Sequence, residues 1–138
     1  ASFSIDARAQ KNSVLKQMKV QIEKNLHALQ TPFDIDIEWE WQDITPGAEV
    51  SNEAALIARE GIVQAIGEEN LAEEVITSGS DDFHFYTIRQ PDLKATMIGV
   101  GADLSPGLHH PHMSFDRKAL YIGAQVLMKT LLQVAKKD

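Results

Sequence analysis

The chain has 138 residues, 43% of them hydrophobic, which is the size of one ordinary domain with enough apolar content for a core. Its formal charge of −7, with no compensating basic stripe, argues against a nucleic-acid partner. The absence of cysteine excludes disulfides and thiolate metal sites, and no apolar run approaches the roughly 20 residues of a membrane helix, so a soluble, cytoplasmic protein is expected.

The first residues already read as a strand, without an initiator Met, as if the chain began inside a larger unit. From Ser2 to Gln10, Phe3, Ile5, Ala7 and Ala9 alternate with Ser4, Asp6, Arg8 and Gln10, the pattern of a half-buried strand. A helix follows, with Asn12 or Ser13 as its cap and an apolar stripe of Val14, Leu15, Met18, Ile22, Leu26 and Leu29. Thr31-Pro32 is expected to stop it. Phe33, Ile35, Ile37, Trp39 and Trp41 then alternate with acids and Gln42, which predicts a long strand with one apolar and one acidic face. Ile44 to Gly47 breaks this pattern, and a domain boundary is placed near Pro46 to Val50.

Beyond it, Ser51 or Asn52 should cap a second helix that buries Ala55, Ile62, Val63 and Ile66 and ends near Gly67. Val75 to Thr77 reads as a short strand, and SGSDDF as a loop turning into a short helix that ends at Pro91. Ala95 to Gly101 resembles a strand covered on both faces. HHPHMSF should be extended and lead, through Ser114 or Asp116 as cap, into a last helix. The packed side of that helix is predicted to be Ala119, Leu120, Gly123, Leu127, Thr130, Leu131 and Val134. The fold class expected from this order is α/β (α+β).

Three of the five histidines, His109, His110 and His112, share one loop. Neighbours on an extended chain point opposite ways, so His109 and His110 are poorly placed to share an ion, and His110 with His112 lacks a third ligand nearby. A polar loop with one packed or capping histidine is the structural alternative. In SGSDDF, Ser80 or Asp81 can cap a helix, and Gly79 permits a tight turn or the close approach of a ligand. Arg8 either pairs with Asp6, two residues away on the same strand face, or binds a carboxylate bidentately. His27 reads as a surface residue and His84 as packed near Phe83 and Phe85.

GSDDF at Gly79 to Phe83, LHHP at Leu108 to Pro111 and FDRKALYIG at Phe115 to Gly123 fall in the order seen near the end of the zinc-dependent aminoacylase and amidohydrolase family. That family includes hippurate hydrolases, auxin-conjugate hydrolases and related metallocarboxypeptidases. FSIDARAQ and the helix and strand after it resemble the latter half of the family's lid, or dimerisation, domain. The resemblance implies residues 1–46 as part of a β-α-β lid and 47–138 as the C-terminal part of an α/β catalytic domain. It implies His109 as a metal ligand, Arg8 and Gly79 as substrate-binding, and Asp82 and His110 as residues that shape the site. Two divalent metals, Zn or possibly Mn, Co or Ni, would serve the intact enzyme in hydrolysing N-acyl amino acids or related conjugates.

The family's other site motifs (a histidine motif, a bridging acid and paired glutamates beside a small-residue turn) are not found in this sequence. Glu68-Glu69 and Glu73-Glu74 stand in the wrong context. The resemblance therefore implies a C-terminal fragment, inactive and without stably bound metal by itself, that forms a homodimer or strand-exchanged oligomer through exposed apolar surface. The competing readings are a non-enzymatic α/β dimerisation or regulatory module and a histidine-rich metal-delivery domain.

Overall fold

A computed structural model describes residues 1–76 and 81–136. Its helices are α1 (Asn12–Phe33), α2 (Asn52–Ile66), α3 (Phe85–Arg89) and α4 (Lys118–Val134), with 3-10 turns at Glu68–Asn70 and Asp82–His84. The chain divides into two units, one of Ala1–Glu49 with Ile76–Leu93 and one of Val50–Val75 with Lys94–Asp138.

The α/β expectation is corrected. Among the described residues there is no sheet, and the one strand-like pairing is an isolated antiparallel bridge between Ser105 and Ser114. Residues 2–10, 34–44, 75–76 and 95–101 carry no strand. Alternation specifies which face of an extended segment is covered. A strand exists only where another backbone takes its N–H and C=O groups. In the first segment Phe3 and Ile5 are 79% and 53% exposed while Ala7 and Ala9 are half-buried, so the apolar face is left open at its start. The predicted β-α-β lid is thus a helix with extended segments that form no ladder.

In the first unit, α1 buries Leu26 and half-buries Leu15, Met18 and Ile22, while Val14 and Leu29 stay exposed. Burying one leucine fully is worth about 1.5–3 kcal/mol, so the contribution of this stripe centres on Leu26. The helix runs through Pro32, whose missing N–H costs a single bond in the last turn, and ends on Asp34 in the left-handed region at φ 50°. There Ile35 N–H donates to Gln30 O at 3.1 Å and Asp34 N–H to Thr31 O at 3.4 Å. The segment after it lies along the helix. Trp41 Nε1 donates to Glu23 at 2.7 Å, Lys19 Nζ stands 5.1 Å from the centre of the Trp41 ring, and His27 meets Trp39 edge-on at 4.7 Å. Ile37, Trp39 and Trp41 are half-buried while Asp36, Glu38, Glu40 and Gln42 are exposed, so the alternation is real and its cover is a helix.

Asn12 does not cap α1. Lys11 holds the cap position, and the Asn12 amide instead clamps Gly47, accepting from its N–H at 2.7 Å and donating to its carbonyl at 3.2 Å.

In the second unit, Ser51 Oγ accepts from Ala54 N–H at 3.4 Å and caps α2, and Gly67 ends it at φ 85°. The core lies between α2 and α4, where Ala58, Gly61, Ala119, Val126 and Gln133 are buried. A Cβ on Gly61 would fall 2.8 Å from the backbone of Thr130, so the crossing requires glycine. Of the predicted packed side of α4, Ala119 is buried and Gly123 and Thr130 are half-buried, but its large residues are corrected. Leu120, Leu127 and Leu131 are 64%, 59% and 69% exposed. Two apolar stripes run along α4 one residue apart, and the helix turns its smaller residues to Gly61 because those permit the close approach.

Candidate functional site

The histidine loop belongs to the second unit. Ser105 and Ser114 exchange both backbone hydrogen bonds, at 3.0 and 2.8 Å, and so close a loop over residues 106–113. Asp116 N–H donates to Ala102 O at 2.8 Å, and the Asp116 carboxylate accepts from Lys118 N–H at 2.9 Å, which fixes the loop's exit to the start of α4. The predicted extended HHPHMSF is therefore a pair of turns leading to a bridge, and the cap position of α4 falls on Arg117, not on Ser114 or Asp116, although Asp116 from one residue earlier accepts the Lys118 N–H.

His109 lies in the middle of this loop, exposed, with φ of 63°. For a residue with a side chain that conformation costs about 1 kcal/mol or more, and here the closed loop imposes it. His110 and His112 are exposed, with ring centroids 5.7 Å apart. His110 Nδ1 accepts the His112 N–H at 3.1 Å, so that nitrogen is already engaged in holding the turn. Among the described residues no three His, Cys, Asp or Glu side chains converge to hold a metal ion. The described residues thus do not fit a metal centre by themselves.

Arg8 belongs to the first unit. Its guanidinium grips Asp6 side-on, with Nε 3.1 and 3.0 Å from the two carboxylate oxygens and Nη2 2.7 Å from one of them. The hydrogen bond from Arg8 holds the Asp6 carboxyl below its ordinary range against the opposing effect of desolvation, and the Arg8 charge adds to it. The same pairing raises Arg8. The alternative in which Arg8 pairs within the chain is thus the one the free protein adopts, by the fork geometry that suits a ligand carboxylate.

Gly79 and Ser80 lie outside the described residues. Asp81 caps the following 3-10 turn, its carboxylate accepting from Phe83 N–H at 2.8 Å, and Asp82 is the exposed first residue of that turn. His84 is buried with its ring 6.0 Å from that of Phe83, as a packed histidine should be. Sequence reasoning did not find the Asn12 clamp or the Ser105–Ser114 bridge. Neither has a local signal, since each joins residues whose pairing depends on the folded backbone.

The class of protein comes from comparison: residues 5–133 match a profile of peptidase-type hydrolases. The chain belongs to peptidase family M20/M25/M40. Peptidases of this family act on peptide-like substrates, generally use divalent metals and are often dimers. Searches of curated proteins and of solved structures returned no match. No helix among the described residues is long and apolar enough to cross a membrane.

Proposed function

We propose that this chain serves the metal-dependent hydrolysis of the amide bond in N-acyl amino acids or related conjugates. Its family membership carries the reading, because the matched span of residues 5–133 includes both Arg8 and the histidine loop. In this reading His109 supplies one ligand to a centre of two divalent ions, zinc or else Mn, Co or Ni. The remaining ligands are expected from the family's other site motifs, which this sequence does not contain, since a stable site needs three or four donors. The closed loop holds His109 exposed, as a ligand must be before its ion arrives. Arg8 pins the free carboxylate of the amino-acid half, which orients the amide and selects acids over neutral amides. In this reading Gly79, which lies outside the described residues, belongs to the substrate-binding set, and Asp82 and His110 shape the site. By itself the 138-residue chain does not hydrolyse substrate, because one imidazole does not retain an ion pair.

The test is His109→Ala in the intact enzyme, with metal content by elemental analysis and hydrolysis of N-acyl amino acids as readouts. Metal content should fall and activity drop by at least about 100-fold. Normal values for both would sink the assignment of His109. Hydrolysis by the isolated chain would overturn its inactivity. The reading as a non-catalytic dimerisation module draws on the absence of converging ligands among the described residues. An intact protein without metal-dependent hydrolysis would favour it.

A further inference from the structure

Asp6 occupies the very edge of Arg8 that a substrate carboxylate would need. Both oxygens lie within 3.1 Å of Nε and one lies 2.7 Å from Nη2. The two residues stand two apart on an extended segment, which places them on one face. Their side chains remain 58% and 69% exposed. A ligand carboxylate can therefore reach the edge of the guanidinium that Asp6 holds. The exchange trades one carboxylate for another on the same guanidinium, and an exposed pair is weakly held.

We propose that Asp6 is a specificity-determining residue that acts as an internal competitor, lowering the affinity of Arg8 for carboxylate ligands. The inference rests on the reading of Arg8 as the carboxylate anchor. While Asp6 holds the fork, only the disengaged fraction of the protein is ready to bind, and the apparent affinity falls by that fraction. After displacement the Asp6 charge stays beside the bound ligand and repels it. Asp6 thus sets a ceiling on product affinity, which favours release of the amino acid once the amide is cut. A purely structural role, in which Asp6 only orients Arg8, predicts the opposite sign on its removal.

The experiment uses the full chain labelled with 15N and follows the Arg8 Nε–Hε resonance during titration with N-acetylglycine, with N-acetylglycinamide as the neutral control. The carboxylate should shift this resonance and the amide should not. Asp6→Asn should tighten the N-acetylglycine dissociation constant by about two- to five-fold, the range an exposed pair allows. Asp6→Glu, which keeps a carboxylate, should retain a value near that of the unmodified chain. If Arg8 senses the carboxylate but Asp6→Asn leaves the affinity equal or weaker, the competitor role is wrong and the anchor reading stands. If Arg8 senses no carboxylate in either form, the anchor reading fails and the inference falls with it.

Discussion

At the scale of single residues, the Asp6–Arg8 pair makes a pH prediction whose sign follows from its cause. The carboxyl is held below its ordinary value of 3.8 by the hydrogen bond from Arg8. A depressed folded-state value means that the pair's contribution is fully present above the ordinary carboxylate range. It is lost as pH falls through the depressed value, where Asp6 takes a proton. The Asp6 carboxyl carbon, followed by NMR, should titrate with a midpoint below 3.8, and Arg8→Gln should return that midpoint toward the ordinary value. A midpoint at or above 3.8 in the unmodified chain would show that the pair does not form in solution. Other residues show how one side chain type takes different work in different surroundings. Asn12 stands where a cap is expected, yet its amide meets both backbone groups of Gly47. Asp116 and Ser51, at α4 and α2, do take backbone N–H groups at the helix starts.

At the scale of elements, α4 is the informative case. Its packed stripe, Ala119, Val126 and Thr130, and its exposed stripe, Leu120, Leu127 and Leu131, have the same helical spacing. Gly61 on α2 selects between them, since Thr130 backbone atoms come within 2.8 Å of where a Cβ would be. Gly61→Ala should destabilise the second unit by about 1–3 kcal/mol, the cost of overpacking a tight contact. Leu131→Ser, on the exposed stripe, should change stability by no more than about 0.5 kcal/mol. Urea melts of both variants check this pair of outcomes, and a larger loss for Leu131→Ser would reverse the assignment of faces. In the first unit, α1 and the alternating segment after it were each legible as amphipathic. That the segment would lie on the helix through Trp39 and Trp41, without a neighbouring strand, was not, because a hydrophobic pattern identifies the covered face and says nothing of what covers it.

At the scale of the whole molecule, the buried apolar set among the described residues is small, with Leu26, Ala58, Ala95, Ala119 and Val126 as its members. Phe3, Val75, Ile76, Leu108, Tyr121 and Leu131 are each 69% exposed or more. Apolar surface on this scale favours association over a monomer in water. Sedimentation velocity on the 138-residue chain should show a weight-average mass that rises with concentration. A constant monomer mass over a hundredfold range, about 1 to 100 μM, would contradict it.

Helix formation was determined by sequence alone, because it depends on neighbours three and four residues away. Most of the α1 stripe, the Ser51 cap, the Gly67 stop and the short turn before α3 were legible in this way, and so was family membership through motifs read in order, whereas α2 half-buries the predicted Ala55, Ile62, Val63 and Ile66 and buries Ala58 and Gly61 instead. Whether the extended segments pair, which stripe of α4 is packed, and how the loop around His109 closes were decided only by tertiary structure. Each depends on a backbone brought from elsewhere in the chain: a ladder partner absent among the described residues, Gly61 against Thr130, and Ser105 against Ser114. Periodicity is a local property of a segment, and contact between distant segments is not.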